Sequence, residues 1–376
     1  MKKALKYVHI YDDDKITEAS IKLFLEFNAE NQAFIILAHD TLRWDKYIEE
    51  HSNFKVLIIG GDLQKKLKEE IAKHDVIFFH PLSFVKAKFL SSFKSSKQVF
   101  VWVLWGYDLY NIANYFGFND DYGTTVKRTG LKAKIQDYYS YKVIYKKAIQ
   151  KIDMCYFLLE EDFNLLSSLI KHKAVWRSNI YPTLDYYIDH LSSHDFDGDS
   201  ILIGNSSTPS NKHQYIFSKL EKIDFNNRKL ICPLSYGENA YRDSILKIGT
   251  EKFGDTFTPI TDFIPLKEYM DIVRSCSHAI MPHDRQQAFG TIVILLYFGC
   301  KVFLSTESPI YGWLKVNGIK IYCAEKDLEL EINSSLDSST IATNRKHLEK
   351  LLSNEAFSEN QKAIMDKCYS LWINKN

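Results

Sequence analysis

Arg285-Gln286-Gln287-Ala288-Phe289-Gly290-Thr291 lies inside the stretch Leu266 to Ser305, whose reading decides the fold. Leu266, Tyr269, Met270 and Val273 recur at i, i+3, i+4 and i+7, one face of an amphipathic helix. Ala279 to Pro282 is a short apolar run that reads as a buried strand. Past the polar residues, Gly290-Thr291 opens a wholly apolar segment from Ile292 to Phe298, which Gly299 is placed to cap. Lys301 to Ser305 then reads as the next strand. Helix, strand, polar loop, helix, strand is the grammar of a parallel sheet.

That loop leaves a strand's carboxyl end and enters a helix amino terminus, where open N–H groups and the helix dipole favour an anion. Gly290 allows close approach to the backbone, Thr291 adds a hydroxyl, and Arg285 can pair two N–H groups with a phosphate. The competing reading is a polar surface turn. Ligands in open α/β sheets sit at such turns, and the density of polar groups here favours a nucleotide-diphosphate pocket.

The chain has 376 residues, 45% hydrophobic and 25% charged, enough for two domains of a globular protein. No run of eighteen apolar residues is present to span a membrane, and the amino-terminal residues lack the apolar core of an export signal. Six cysteines (Cys155, Cys232, Cys276, Cys300, Cys323, Cys368) are scattered without Cys-x-x-Cys spacing and read as reduced core residues of a cytoplasmic protein. A net charge of +1 excludes a generally basic nucleic-acid binder.

Taken in order, Tyr7 to Ile10, Ala33 to Leu37, Phe54 to Ile59, Val76 to Phe79, Val99 to Leu104 and Met154 to Leu159 are strand-like, with helical segments such as Ile16 to Phe27 between them. Residues 1–175 therefore read as one doubly wound domain and 176–199, with its acidic Asp195 to Asp199, as a connection. A second α/β series occupies 200–343, with strands at Ile201 to Ile203, Lys229 to Cys232 and Ile319 to Tyr322, and 344–376 forms a helical tail that folds back. Two successive Rossmann-like domains facing a cleft, with carboxyl-terminal helices crossing back, is the α/β architecture called GT-B.

Gly204-Asn205-Ser206 is a second strand-to-helix turn, with Asn211 and His213 close behind, and forms the other wall of the same pocket. Pro233 to Tyr236 ends a third strand, where a nucleobase could rest on Tyr236. Asp12-Asp13-Asp14 follows the first strand; a solvated loop, or one carboxylate facing the cleft, is a simpler reading than a metal site, and the same holds for Asp120-Asp121. Trp102 to Tyr110 ends a strand in a glycine turn that presents Asp108 among aromatics, and His80 is another strand-end group. Retaining enzymes of this architecture commonly carry Glu-x7-Glu around a Phe-Gly turn. Aligned on Phe289-Gly290, those positions hold Gln287 and Leu295, which argues against that group.

The sequence resembles the bacterial 4-α-L-fucosyltransferases of glycosyltransferase family 56, the TDP-4-acetamido-4,6-dideoxygalactose transferases of enterobacterial common antigen synthesis. The resemblance is carried by Trp105-Gly106-x-Asp108-Leu109-Tyr110, by Ile201-Leu202-x-Gly204-Asn205-Ser206 with Ser210, Asn211 and His213, and by Pro233 with Tyr236. Arg274, Cys276, Arg285-Gln286-Gln287-x-x-Gly290-Thr291 and Glu307-x-Pro309 complete it, over roughly residues 76 to 313. It implies a TDP-linked amino-deoxysugar donor and an undecaprenyl-diphosphate-linked saccharide acceptor at the cytoplasmic face of the inner membrane.

On this reading the second domain surrounds the diphosphate with Gly204, Asn205, Ser206, Arg285, Gln287, Gly290 and Thr291, without metal or other cofactor. The base for the acceptor hydroxyl comes from the first domain, in the order Asp108, His80, Asp13. A non-catalytic sugar-nucleotide-binding module and a nucleotide-sugar epimerase are the rival readings. Between Val126 and Lys151 eight basic residues and four tyrosines stand against one acid, Asp137, which suits peripheral, salt-sensitive binding to an anionic membrane.

Overall fold

A computed structural model describes residues 3–14, 17–28, 30–39, 54–93, 97–117, 130–178, 182–188 and 195–376. Asp120 and Asp121, and Lys127 and Arg128 among the eight basic residues between Val126 and Lys151, lie outside the described residues. The chain divides into two compact units, one of Met1–Thr183 with Asn354–Asn376 and one of Leu184–Ser353.

In the first unit β1 (Tyr7–Asp12), β2 (Gln32–Ala38), β3 (Phe54–Ile58), β4 (Val76–His80), β5 (Val99–Val103), β6 (Met154–Tyr156) and β7 (Val175–Arg177) form one parallel sheet. Its order is β3-β2-β1-β4-β5-β6-β7. Strands β4, β5 and β6 are buried along their whole length, because a parallel sheet is covered on both faces. One face packs Val8, Ile10, Phe79 and Trp102 against surrounding helices. The other packs Phe24, Phe34 and Phe78 with Phe357, Ile364 and Cys368 of the helix Asn354–Ile373. Those three helix positions are i, i+7 and i+11, one face, which is why this last helix lies on the first unit.

In the second unit β8 (Ser200–Ile203), β9 (Leu230–Pro233), β10 (Phe257–Ile260), β11 (Cys276–Met281), β12 (Lys301–Leu304) and β13 (Tyr322–Cys323) run in the order β10-β9-β8-β11-β12-β13, again parallel. The deciding stretch forms as read: helix Leu266–Arg274, β11, helix Phe289–Phe298, β12. Ile292 to Phe298 are all buried, and Gly299 ends the helix in the left-handed conformation at φ +92°. All six cysteines are buried and unbridged. No described helix is long and apolar enough to cross a membrane.

Three boundaries differ from the sequence reading. Residue 175 falls inside β7, whose Val175 pairs with Met154. The acidic end of the expected connection belongs to the second unit, because Asp197 pairs with Arg274 and Asp195 with Arg345, each at 2.5 Å. The expected tail over 344–376 splits, since helix Ser338–Leu352 stays with the second unit and Asn354–Ile373 joins the first. Strand β10 was not legible because Pro259 interrupts its run, a residue tolerated at the sheet edge where this strand sits.

Candidate functional site

Strands β9, β8 and β11 are neighbours, so the loops at their carboxyl ends converge. After β8, Gly204 turns at φ +66°; a Cβ there would stand 2.8 Å from both Asn211 Oδ1 and His213 Nε2. Fully buried Asn211 staples this loop: its Oδ1 accepts from the Asn205 amide at 3.0 Å, and its Nδ2 donates to Ser206 O at 3.0 Å and Thr208 Oγ1 at 2.9 Å. His213 is buried with its Nδ1 3.2 Å from the Tyr241 hydroxyl, and burial holds its pKa down to about 3. Asn211 and His213, expected as donor-binding residues, are thus built into the loop's frame.

The three loops are joined by side chains. Gln287 Nε2, after β11, donates to Asn205 Oδ1 at 2.7 Å, and Asn205 Nδ2 donates to the Tyr236 hydroxyl at 2.9 Å. Ser210 Oγ donates to Gln287 Oε1 at 2.8 Å. Tyr236 follows buried Pro233 at the end of β9; the residue is 49% exposed, and desolvation raises the pKa of its hydroxyl.

Arg285 is buried, at 4% exposure, and its charge lowers the pKa of His283, which burial chiefly holds at about 3. Its neighbour Asp284 accepts from Lys212 Nζ at 2.5 Å and from Ser305 Oγ at 2.7 Å, tying in the loop after β12. In that loop the Glu307 amide donates to Ser305 Oγ at 3.3 Å. Helix Phe289–Phe298 has no side-chain cap: Ala288 occupies the cap position at φ +56°, an unfavourable conformation for a non-glycine residue. Gln286 is half-buried in the same turn. The close approach expected at Gly290 is made by the protein itself, because a Cβ at Gly290 would lie 2.4 Å from the Tyr187 hydroxyl. Desolvation raises the pKa of Tyr269, and Thr291 acts against that rise.

In the first unit the expected base candidates are held tightly. Asp108 Oδ2 accepts from Trp102 Nε1 at 2.7 Å and from the Leu82 amide at 3.1 Å; Oδ1 accepts from the Trp105 amide at 3.3 Å. Burial raises its pKa, partly offset by those bonds. Both oxygens therefore brace the loops after β4 and β5. His80 is wholly buried, its Nε2 2.9 Å from His9 Nδ1 and its ring stacked on Tyr11, and burial holds its pKa well below the usual histidine value.

The Asp12-Asp13-Asp14 run is different. Lys86, fully buried, donates to His80 O at 2.7 Å and Pro81 O at 2.9 Å and pairs with Asp12 Oδ2 at 3.1 Å. Ser83 Oγ donates to Asp12 Oδ1 at 3.2 Å, so a carboxylate whose side chain is 24% exposed is oriented from behind. Asp13 is half-buried, its amide donating to Leu37 O at 3.1 Å. Among the described residues, no group of three or more His, Cys, Asp or Glu side chains is placed to hold a metal ion.

The profile of the family described as 4-alpha-L-fucosyltransferase, glycosyl transferase group 56, matches residues 64–358. The chain belongs to glycosyltransferase family 56. Solved structures agree on the fold. Anabaena HepE in complex with UDP-glucose superposes with a TM-score of 0.69 at 10% identity, covering 96% of this chain and 100% of that one. Sucrose-phosphate synthase from Thermosynechococcus elongatus gives 0.66 at 11%, covering 97% and 100%. A glycosyltransferase from Rickettsia africae gives 0.61 at 11%, covering 96% and 98%. The fold is GT-B, and the family's activity is sugar transfer.

Against this family background, Lys86, Lys212, Tyr187, Tyr269 and the cap residue Ala288 are the residues that sequence reasoning missed. No local pattern sets Lys86 and Lys212 apart from other lysines, since their partners Asp12 and Asp284 lie 74 and 72 positions away. Tyr269 was placed on an apolar helix face by its spacing, which does not reveal that its hydroxyl is influenced by Thr291.

Proposed function

We propose that this glycosyltransferase moves an amino-deoxyhexose, 4-acetamido-4,6-dideoxygalactose or a close analogue, from a TDP-sugar to an undecaprenyl-diphosphate-linked saccharide in bacterial surface polysaccharide synthesis. The observation that carries the reading is the Gln287–Asn205–Tyr236 chain, which joins three strand-end loops beside Arg285 and an uncapped helix start. Such a set suits a nucleoside diphosphate: Tyr236 offers a face to the base, while Gln287, Gly290 and Thr291 line the phosphates beside Arg285. Gly204, Ser206, Asn211, His213, Pro233, Gln286 and Glu307 support that wall. HepE, whose complex holds UDP-glucose, is consistent with a nucleotide-sugar donor.

The acceptor oxygen forms its new bond to the sugar's anomeric carbon, its proton goes to a carboxylate, and the electron pair of the broken bond leaves on the diphosphate. Preorganised N–H donors and Arg285 stabilise that departing charge without metal. We place proton acceptance on the run Asp12 to Asp14, with Asp12 the carboxylate that Lys86 and Ser83 orient. The enzyme would act on the cytoplasmic face of the inner membrane, where a lipid-linked acceptor resides. The test is product analysis with TDP-, UDP- and GDP-sugars: an acceptor lengthened by one sugar supports the proposal. Conversion of free nucleotide sugar without acceptor would mark an epimerase, and binding without turnover a module; either overturns it.

A further inference from the structure

We propose that helix Leu131–Tyr138 and the start of the π-helix Tyr139–Tyr145 that continues it form a bilayer-insertion face, in which an apolar stripe enters the interface of an anionic membrane and lysines stand over the headgroups. This rests on the lipid-linked acceptor reading for its purpose, but its evidence is independent. Leu131, Ile135, Tyr138 and Tyr139 are 78%, 61%, 64% and 57% exposed. They fall at i, i+4, i+7 and i+8, one side of a helix, so large apolar groups that a core would claim are presented together.

The packing of the opposite side shows that the stripe is not needed inside. Asp137 is buried and accepts from the Tyr115 hydroxyl at 2.9 Å. Tyr141 stacks on Tyr115 with centroids 3.8 Å apart, and Ile144, Tyr145, Ala148 and Ile149 are buried in the core. The only acid between residues 126 and 151 thus points inward, while Lys132, Lys134, Lys146 and Lys147 are exposed. An apolar stripe on a segment whose exposed charged residues are all lysines complements an anionic interface, where aromatic rings settle at headgroup depth.

The structure also changes the balance expected from sequence. Tyr141 and Tyr145 face inward, and Lys142 lies over the Phe116 ring at 3.7 Å. Lys151 is bound to the carbonyls of Leu90 at 3.1 Å and Ser91 at 2.8 Å. The anchor is therefore apolar first and electrostatic second, and part of the binding should resist salt, because apolar burial is not screened.

Co-sedimentation with phosphatidylcholine vesicles, with and without phosphatidylglycerol, tests this on the full chain. Wild type should bind the anionic vesicles and keep part of that binding in high salt. Leu131→Ser with Ile135→Ser should weaken binding at least tenfold at every salt concentration. Lys132, Lys134, Lys146 and Lys147→Gln should weaken it only at low salt. In an Ile135→Trp variant the indole should be quenched by brominated lipid. Unchanged binding by the double serine variant, or an unquenched indole, overturns the proposal. So does concentration-dependent self-association abolished by the same serines without vesicle binding, which would assign the face to a second copy. Transfer to a short-chain, soluble acceptor should be equal in all these variants. If wild type itself fails in that assay the transferase reading falls, whatever the vesicles show.

Discussion

Gln287 and Asn205, 82 residues apart, share a 2.7 Å hydrogen bond that closes the loop after β11 onto the loop after β8. Asn205 passes the connection to Tyr236, so one amide governs how two neighbouring loops face a ligand. Gln287→Ala and Asn205→Ala should each weaken binding of a nucleoside diphosphate. Their double mutant should lose less than the sum of the two, with a coupling of about 1 kcal/mol, because both single variants break the same Gln287–Asn205 bond. Calorimetric titration of the four proteins measures it; fully additive losses would mean that the bond does not organise the pocket.

Arg285→Ala removes charge from a loop while leaving the apolar segment Ile292 to Phe298 intact. Turnover should fall on the order of 10²-fold or more, the usual contribution of a preorganised donor to developing charge. Because the side chain is buried, its loss should lower the unfolding midpoint as well, an effect read separately from turnover. Steady-state kinetics beside thermal unfolding checks both halves, and near-normal turnover would remove Arg285 from the site.

Asp108 and Asp12 should respond differently to amidation. Asn at 108 replaces an oxygen that receives N–H groups with an amide that offers them, leaving a buried donor unpaired, a loss of roughly 1–3 kcal/mol of stability. Asp12→Asn keeps its shape and should instead lower kcat, by roughly 10²- to 10⁴-fold, with donor affinity retained. An Asp108→Asn protein as stable as wild type but inactive would return the base to Asp108.

Stability should decline in mild acid. His9, His213 and His283 are held neutral by burial at about 3, against 6.5 when unfolded. A depressed folded pKa gives stability that is present above pH 6.5 and lost as pH falls towards 3, because the unfolded chain binds the protons. Each such histidine contributes a slope of about 1.4 kcal/mol per pH unit inside that window. Urea unfolding between pH 7 and 4 reads it; a flat midpoint would show that these rings are protonated in the folded state.

Chelation should leave transfer largely intact, since Arg285 and a helix amino terminus would stabilise the leaving diphosphate. Activity lost in EDTA and restored by magnesium or manganese would recast Asp12 to Asp14 as ligands.

Local pattern carried the alternation of strands and helices. The segments Leu266–Arg274, Cys276–Met281, Phe289–Phe298 and Lys301–Leu304 were legible because apolar period, a glycine stop and strand-length runs are all short-range signals. The convergence of Gly204-Asn205-Ser206 with Arg285 to Thr291 was legible for the same reason, as both follow strands of one parallel series. Strand-end position does not reveal whether a polar group faces a ligand or its own fold. Asp108 and His80 looked available, yet Leu82 and His9 take them up from 26 and 71 positions away, distances that no local pattern encodes. Asp12 belonged to a run read as a solvated loop or as one presented carboxylate, and Lys86, 74 positions on, stands behind it. Burial and pairing are long-range consequences of how the sheets are covered, so tertiary structure alone decided which carboxylates brace the fold and which one is left at its edge.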